Sequence, residues 1–128
     1  MSTTSAIEPL PQSESQPVQA RFEIAGCDTL PKLFRQRVRE YGAKTAMREK
    51  SLGIWQSVSW TEYGRRARAV GLGLVALGLR RGEVVSILSE NNKEWLFTDI
   101  GTECAGGITN GVYATDSARQ LAYLVNDS

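Results

Sequence analysis

The chain predicts an α/β fold, a β-hairpin followed by an incomplete parallel βαβα unit, and three features point to it. Val84-Val85-Ser86-Ile87-Leu88 is short and nearly all apolar, as suits a strand buried on both faces. A helical pattern from about Lys93 to Ala105 separates it from a second strand-like run, Ile108 to Val112, and strand–helix–strand in that order is a parallel crossover. Upstream, two short strand-like runs flank Gly53, which permits the turn of a hairpin.

Residues 1 to about 25 are rich in Ser, Thr, Gln and Pro. They offer few apolar side chains to offset the entropy of ordering, so the composition predicts a disordered polar leader over 1–25 and an α/β subdomain over 26–128. The first helix is expected from Leu30 to Tyr41, with Leu30, Leu33, Phe34, Val38 and Tyr41 at helical spacing. Asp28 or Thr29 suits its cap, Pro31 its first turn and Gly42 its end. Strands Thr45 to Glu49 and Ile54 to Val58 make the hairpin. Ser59-Trp60-Thr61-Glu62 has the pattern of a capping box, in which Ser59 accepts from the amide of residue 62 and Glu62 reaches back to the amide of Ser59. That helix runs to Leu77, where Gly78 ends it. Ser117 and Gln120 form a second box opening a last helix with Leu121, Leu124 and Val125 on its apolar face.

Composition excludes several chemistries. Fifteen basic residues balance 14 acidic ones, so charge gives no reason to expect a nucleic-acid partner. No histidine occurs, which excludes a Ser-His-Asp site and histidine-containing zinc sites within these residues. Cys27 and Cys104 stand far apart in no metal-like spacing, and reduced thiols in a cytoplasmic protein are the expectation. Neither a secretory signal nor an apolar run long enough to span a bilayer is present.

The last helix would normally deliver the chain into another strand, yet only two parallel strands precede it. The pattern therefore predicts a truncated chain whose open sheet edge invites self-association.

Ligands of open α/β sheets gather beyond the carboxyl ends of the strands. Ser89, Glu90 and Asn91 follow one strand, and Tyr113, Ala114 and Thr115 follow the other. Against a binding role stands a plainer one, turns that cap the next helices. Gly71-x-Gly73 with Gly78 superficially suggests a dinucleotide loop, but these glycines sit late in a helix rather than after a strand, so close helix packing is the better account. Arg65, Arg66, Arg68, Arg80 and Arg81 form a local basic cluster read as a solvated face, the other reading being contact with anionic lipid or coenzyme A phosphates. Trp55, Trp60 and Trp95 read as packing residues.

With the elements placed, a resemblance emerges. Val58-Ser59-Trp60-Thr61-Glu62-Tyr63 looks like the first core motif, Leu-Thr/Ser-Tyr-x-Glu-Leu, of the AMP-forming acyl-CoA synthetase and luciferase superfamily. Ser89-Glu90-Asn91 resembles that family's strand-end turn, and Gly106 through Thr115 its second core motif. Arg48-Glu49-Lys50 followed by Gly53-Ile54-Trp55 is most similar to bacterial long-chain fatty acid–CoA ligases. The resemblance covers nearly all of residues 28–128 and implies the N-terminal part of the large domain of an adenylate-forming enzyme. The implied reaction joins a fatty acid to ATP, giving an acyl adenylate and pyrophosphate, then transfers the acyl group to coenzyme A with Mg²⁺ present. It also implies that Tyr113 to Thr115 lie near the coenzyme A channel. The family's Ser/Thr/Gly-rich phosphate loop, its Thr-Gly-Asp ribose motif and its catalytic lysine have no counterpart here, and Lys32, Lys44, Lys50 and Lys93 match none of those roles. No catalytic or metal-binding residue is expected, nor tight binding of ATP, Mg²⁺ or CoA by these residues alone. The alternative is a non-catalytic interaction module retaining a synthetase-like half-fold; a small nucleotide-binding domain lacks its phosphate loop.

Overall fold

The computed structural model describes residues 23–128. The expected leader therefore lies, apart from residues 23–25, outside the described residues. The order is α1 (Leu30–Tyr41), β1 (Thr45–Ser51), β2 (Ile54–Ser59), α2 (Trp60–Ala76), β3 (Val84–Leu88), α3 (Lys93–Cys104), β4 (Ile108–Val112) and α4 (Ala118–Asp127). Strands β1 and β2 pair antiparallel, β3 and β4 pair parallel, and the two pairs are separate sheets.

Local chemistry sets the boundaries. Thr29 caps α1 by accepting from the amide of Lys32, and the amide of Gly42, at φ 43°, closes its end on the carbonyl of Val38. The amides of Trp60 and Thr61 donate to the carbonyls of Lys44 and Gly42, so the start of α2 is tied to the segment joining α1 to β1. The Ser117–Gln120 box opening α4 is complete in both directions. The Ser59 box is not. Ser59 Oγ accepts from the amide of Glu62 at 3.2 Å, but the Glu62 carboxylate turns away to Arg65 and Arg66, each at 2.7 Å. Two guanidiniums outcompete one backbone amide because charge-assisted bonds are the stronger ones.

The centre of the molecule is small: Ala67, Ile87, Phe97, Ile100 and Val112 are its buried apolar side chains among the described residues. Helix α3 lies between α2 and the parallel sheet. Alternation sends Val85, Ile87, Thr109 and Gly111 to one face. Thr109 Oγ1 donates to the carbonyl of Asp99, and a Cβ on Gly111 would meet the Trp95 ring, so this face covers α3. On the opposite face Leu88 and Ile108 are about half exposed, where a sheet buried on both sides would have hidden them. Trp60 and Trp95 pack as expected, whereas Trp55 on the hairpin is 63% exposed and joins no core. It sits opposite Lys50 on the two-stranded sheet.

The Thr102 side chain is fully buried on α3, and its hydroxyl has no hydrogen-bond partner among the described residues. An unsatisfied buried hydroxyl costs about 1–3 kcal/mol. Thr102→Val keeps the branched shape and removes the orphan, so the variant should gain about 1 kcal/mol. A higher urea midpoint at unchanged slope is the expected readout; a lower midpoint would contradict it.

Candidate functional site at the strand ends

Leu88 and Val112 are register partners and the last residues of β3 and β4. Ser89, Glu90 and Asn91 therefore leave the sheet at the same end as Tyr113, Ala114 and Thr115, and the two segments form one rim.

Within the rim the side chains divide by role. Ser89 Oγ donates to the carbonyl of Glu90 at 3.1 Å and accepts from Asn92 Nδ2 at 3.0 Å. Asn92 Oδ1 in turn accepts from the amide of Trp95 at 2.9 Å and caps α3. Ser89 thus holds the cap in place. The side chains of Glu90 and Asn91 are exposed and make no hydrogen bond or ion pair among the described residues. Across the rim, Tyr113 is 78% exposed and its carbonyl accepts from the amide of Asp116, a turn that leads into the Ser117 cap of α4. Ala114 and Thr115 are exposed as well. The rim holds no paired nucleophile and base. Among the described residues no three His, Cys, Asp or Glu side chains come together as a metal site.

Glu49 and Lys93, to which the sequence assigned no site role, border this rim. A hollow of about 280 Å³ opens between the hairpin, at Met47, Arg48 and Glu49, and the start of α3, at Asn91, Lys93 and Trp95. Its wall is fixed by an ion pair between Glu49 and Lys93, supported by the amide of Lys93 donating to Glu49 Oε1 at 3.4 Å. The carboxylate also lies at the positive end of the α3 dipole, which favours an anion. The partners are 44 positions apart, so no local pattern could announce them.

Hydrogen bonding from Lys93 holds the Glu49 carboxyl below its usual range. A carboxyl with a depressed folded pKa stabilises above its unfolded value and loses that contribution as pH falls through the folded one. Glu49→Gln should accordingly be less stable than wild type near neutrality, and the gap should close as the medium is taken below about pH 4. Parallel urea titrations along that pH series would show it; a gap independent of pH would refute the pairing.

The basic cluster proves to be divided. Arg65 and Arg66 converge on Glu62, Arg80 pairs with Glu83 at 2.7 Å, Arg81 lies beside Gly106, and Arg68 borders a groove on the helical side. Of the glycines, Gly71 meets α3 closely, whereas a Cβ on Gly73 would meet open space, so the packing explanation holds for the first alone.

The family model for the AMP-binding enzymes matches residues 34–128. Long-chain-fatty-acid–CoA ligase ACSBG1 of Bos taurus is 36% identical over 99 residues, which are 77% of this chain and 14% of that protein. ACSBG2 of Xenopus laevis, another long-chain-fatty-acid–CoA ligase, is 32% identical over 136 aligned positions, taking in 96% of this chain and 18% of its own length. The chain thus spans less than a fifth of these curated relatives. Among solved structures, the N-terminal subdomain of Klebsiella oxytoca NpsA superposes with a TM-score of 0.69 at 15% identity, covering 76% of this chain and 24% of that one. The fatty acid AMP ligase of Legionella pneumophila gives 0.68 at 20% identity, over 74% and 17%. These two likenesses establish the fold, that of the N-terminal subdomain of adenylate-forming enzymes. With three quarters of its length inside the family model, the chain belongs to the AMP-binding enzyme family.

Proposed function

We propose that residues 26–128 are the opening subdomain of a cytoplasmic long-chain fatty acid–CoA ligase, which converts ATP, a fatty acid and CoA into acyl-CoA, AMP and pyrophosphate through an acyl adenylate. The observation that carries this reading is the identity above 30% with long-chain-fatty-acid–CoA ligases across most of the chain. In it, these residues are scaffold. ATP, Mg²⁺ and CoA are held by parts of a full enzyme beyond them, and the 128-residue chain alone is inactive, lacking a phosphate loop, a ribose motif and a catalytic lysine. Electrostatic stabilisation of an adenylation transition state needs donors arrayed about the phosphates, and the strand-end rim presents none so arranged. In this reading Glu90, Asn91, Tyr113 and Thr115 line the approach of substrate or CoA, since ligands of open α/β sheets gather beyond the strand ends.

The test has two arms. The chain alone should give no fatty-acid-dependent ATP–pyrophosphate exchange and no saturable heat on titration with ATP. A chimera in which residues 28–128 replace the matching segment of ACSBG1 should form acyl-CoA from long-chain fatty acids. Exchange by the chain alone, or a folded chimera without activity, would overturn the proposal.

The half-bare sheet face with Leu88 and Ile108 favours a second reading, an interaction module that pairs through its open sheet. Light scattering distinguishes them, since a defined dimer would support the module and a monomer the scaffold.

A further inference from the structure

On the side of the molecule away from the strand ends, α1 and α2 enclose a groove of about 1030 Å³ that reaches Cys104 and Ala105 at the end of α3. Phe34, Val38 and Leu72 give it apolar walls, while Gly64, Ala67 and Gly71 at its bottom are already packed against Val38 and α3. Leu72 and Val75 stand half exposed on the α2 side. Along α2 the groove runs from Gly64 to Val75, about 16 Å or three helical turns.

The charge around it is one-sided. Among the described residues, Lys32, Arg35, Arg39, Arg65 and Arg68 border the groove and no acidic side chain does. Lys32 and Arg65 are neutralised from outside by Asp28 and Glu62. Arg35, Arg39 and Arg68 have no ion-pair partner among the described residues. Arg35 and Arg39 are four apart on α1 and so share one face, opposite Arg68 on α2.

We propose that this groove is the docking site for an acidic amphipathic helix of a partner protein. An apolar stripe at i, i+3, i+4 and i+7 seats between the walls, against Leu72 and Val75, and flanking carboxylates meet Arg35 and Arg39 on one bank and Arg68 on the other. The three-turn length matches a short helix. A single fatty-acid carboxylate would engage one or two of these cations and leave the rest uncompensated. A flat bilayer would meet the arginine ridges without entering between the apolar walls. The inference does not depend on the ligase reading, because it concerns a surface remote from the strand ends.

Fluorescence anisotropy on the whole chain tests it. The probe is a labelled helical peptide of about four turns with a leucine stripe and glutamate flanks. Saturable binding is expected, weakening about tenfold between about 50 and 300 mM salt. Arg35→Glu with Arg68→Glu should weaken it by a further tenfold or more. The Arg→Gln pair should fall between, with circular dichroism unchanged because these side chains point to solvent. Leu72→Ser, which alters the wall and no charge, should also weaken it. Equal binding of a lysine-flanked peptide, indifference to Leu72→Ser, or tighter binding of oleate or phosphatidylglycerol vesicles than of the peptide would overturn the proposal. So would competition from a peptide of residues 1–22, which would place the chain's own start in the groove.

Discussion

Gly101→Val is expected to unfold the helical half of the molecule. A Cβ at position 101 would lie 2.7 Å from the carbonyl oxygen of Ala67 and 3.1 Å from Val70 Cβ. The reciprocal contact is as close, since a Cβ on Gly71 would lie 2.7 Å from the carbonyl oxygen of Gly101. Helices α2 and α3 therefore touch backbone to backbone, through Ala67 and Gly71 on one side and Gly101 and Ala105 on the other, small residues four apart on each. Neither obstacle is the end of a flexible side chain, so the helices must separate. Overpacking typically costs about 1–3 kcal/mol, and a β-branched residue against a carbonyl belongs at or above the upper limit. Few other side chains are buried here, so that loss is a large share of the total. Urea titration by circular dichroism should show the midpoint collapse. Gly73→Ala is the control on the same helix: its Cβ meets nothing within 4 Å, and alanine in a helix interior should add about 1 kcal/mol. If both variants moved the midpoint alike, the close crossing would be wrong.

That crossing marks the line between what the sequence disclosed and what it did not. Caps and periodicity are local, so α1 and the strands β3 and β4 were legible to the residue, and the Ser117 box was legible to the atom. The Ser59 box was half legible. The pattern identified the cap, but Arg65 and Arg66 drew the Glu62 carboxylate away, a competition that the four-residue motif does not contain. Gly71 was read as a packing glycine for the right reason, while Gly101, its counterpart 30 positions on, passed unnoticed because it sits in an ordinary helical pattern. The strand-end rim followed from topology alone, since any parallel pair brings its carboxyl ends together. Its neighbour, the Glu49–Lys93 pair, depended on where the hairpin docks, and that orientation is written in no short window.

Tyr63 joins the motif to the packing, and its removal should be the second large effect. Its ring meets Phe34 edge-on at 4.7 Å and Phe97 at 5.6 Å, so one side chain of α2 bridges α1 and α3. Trp60 stands beside it at 6.1 Å and extends the cluster to Tyr41. Truncating a core aromatic costs about 3–5 kcal/mol, and because Tyr63 is only half buried, Tyr63→Ala should cost about 2–3. The hydroxyl is a separate matter. It donates to the carbonyl of Leu96 at 3.3 Å, and its pKa is pushed up to about 12 by burial first, then by Asp99, Cys104 and Glu103 nearby. A tyrosine that ionises later when folded than when unfolded stabilises fully below about pH 10 and loses that contribution as the medium rises towards 12. Tyr63→Phe keeps the ring contacts, so near neutrality it should fall short of wild type only by the single hydrogen bond. Above about pH 10 the gap should close and then reverse, because wild type alone carries a phenol whose ionisation the fold opposes, and Tyr63→Phe titrates nothing there. Ultraviolet titration of the four tyrosines should show one phenolate appearing late in the folded wild type and missing from Tyr63→Phe. Should Tyr63→Ala unfold at the same urea concentration as wild type, Tyr63 would not be the bridge between the three helices.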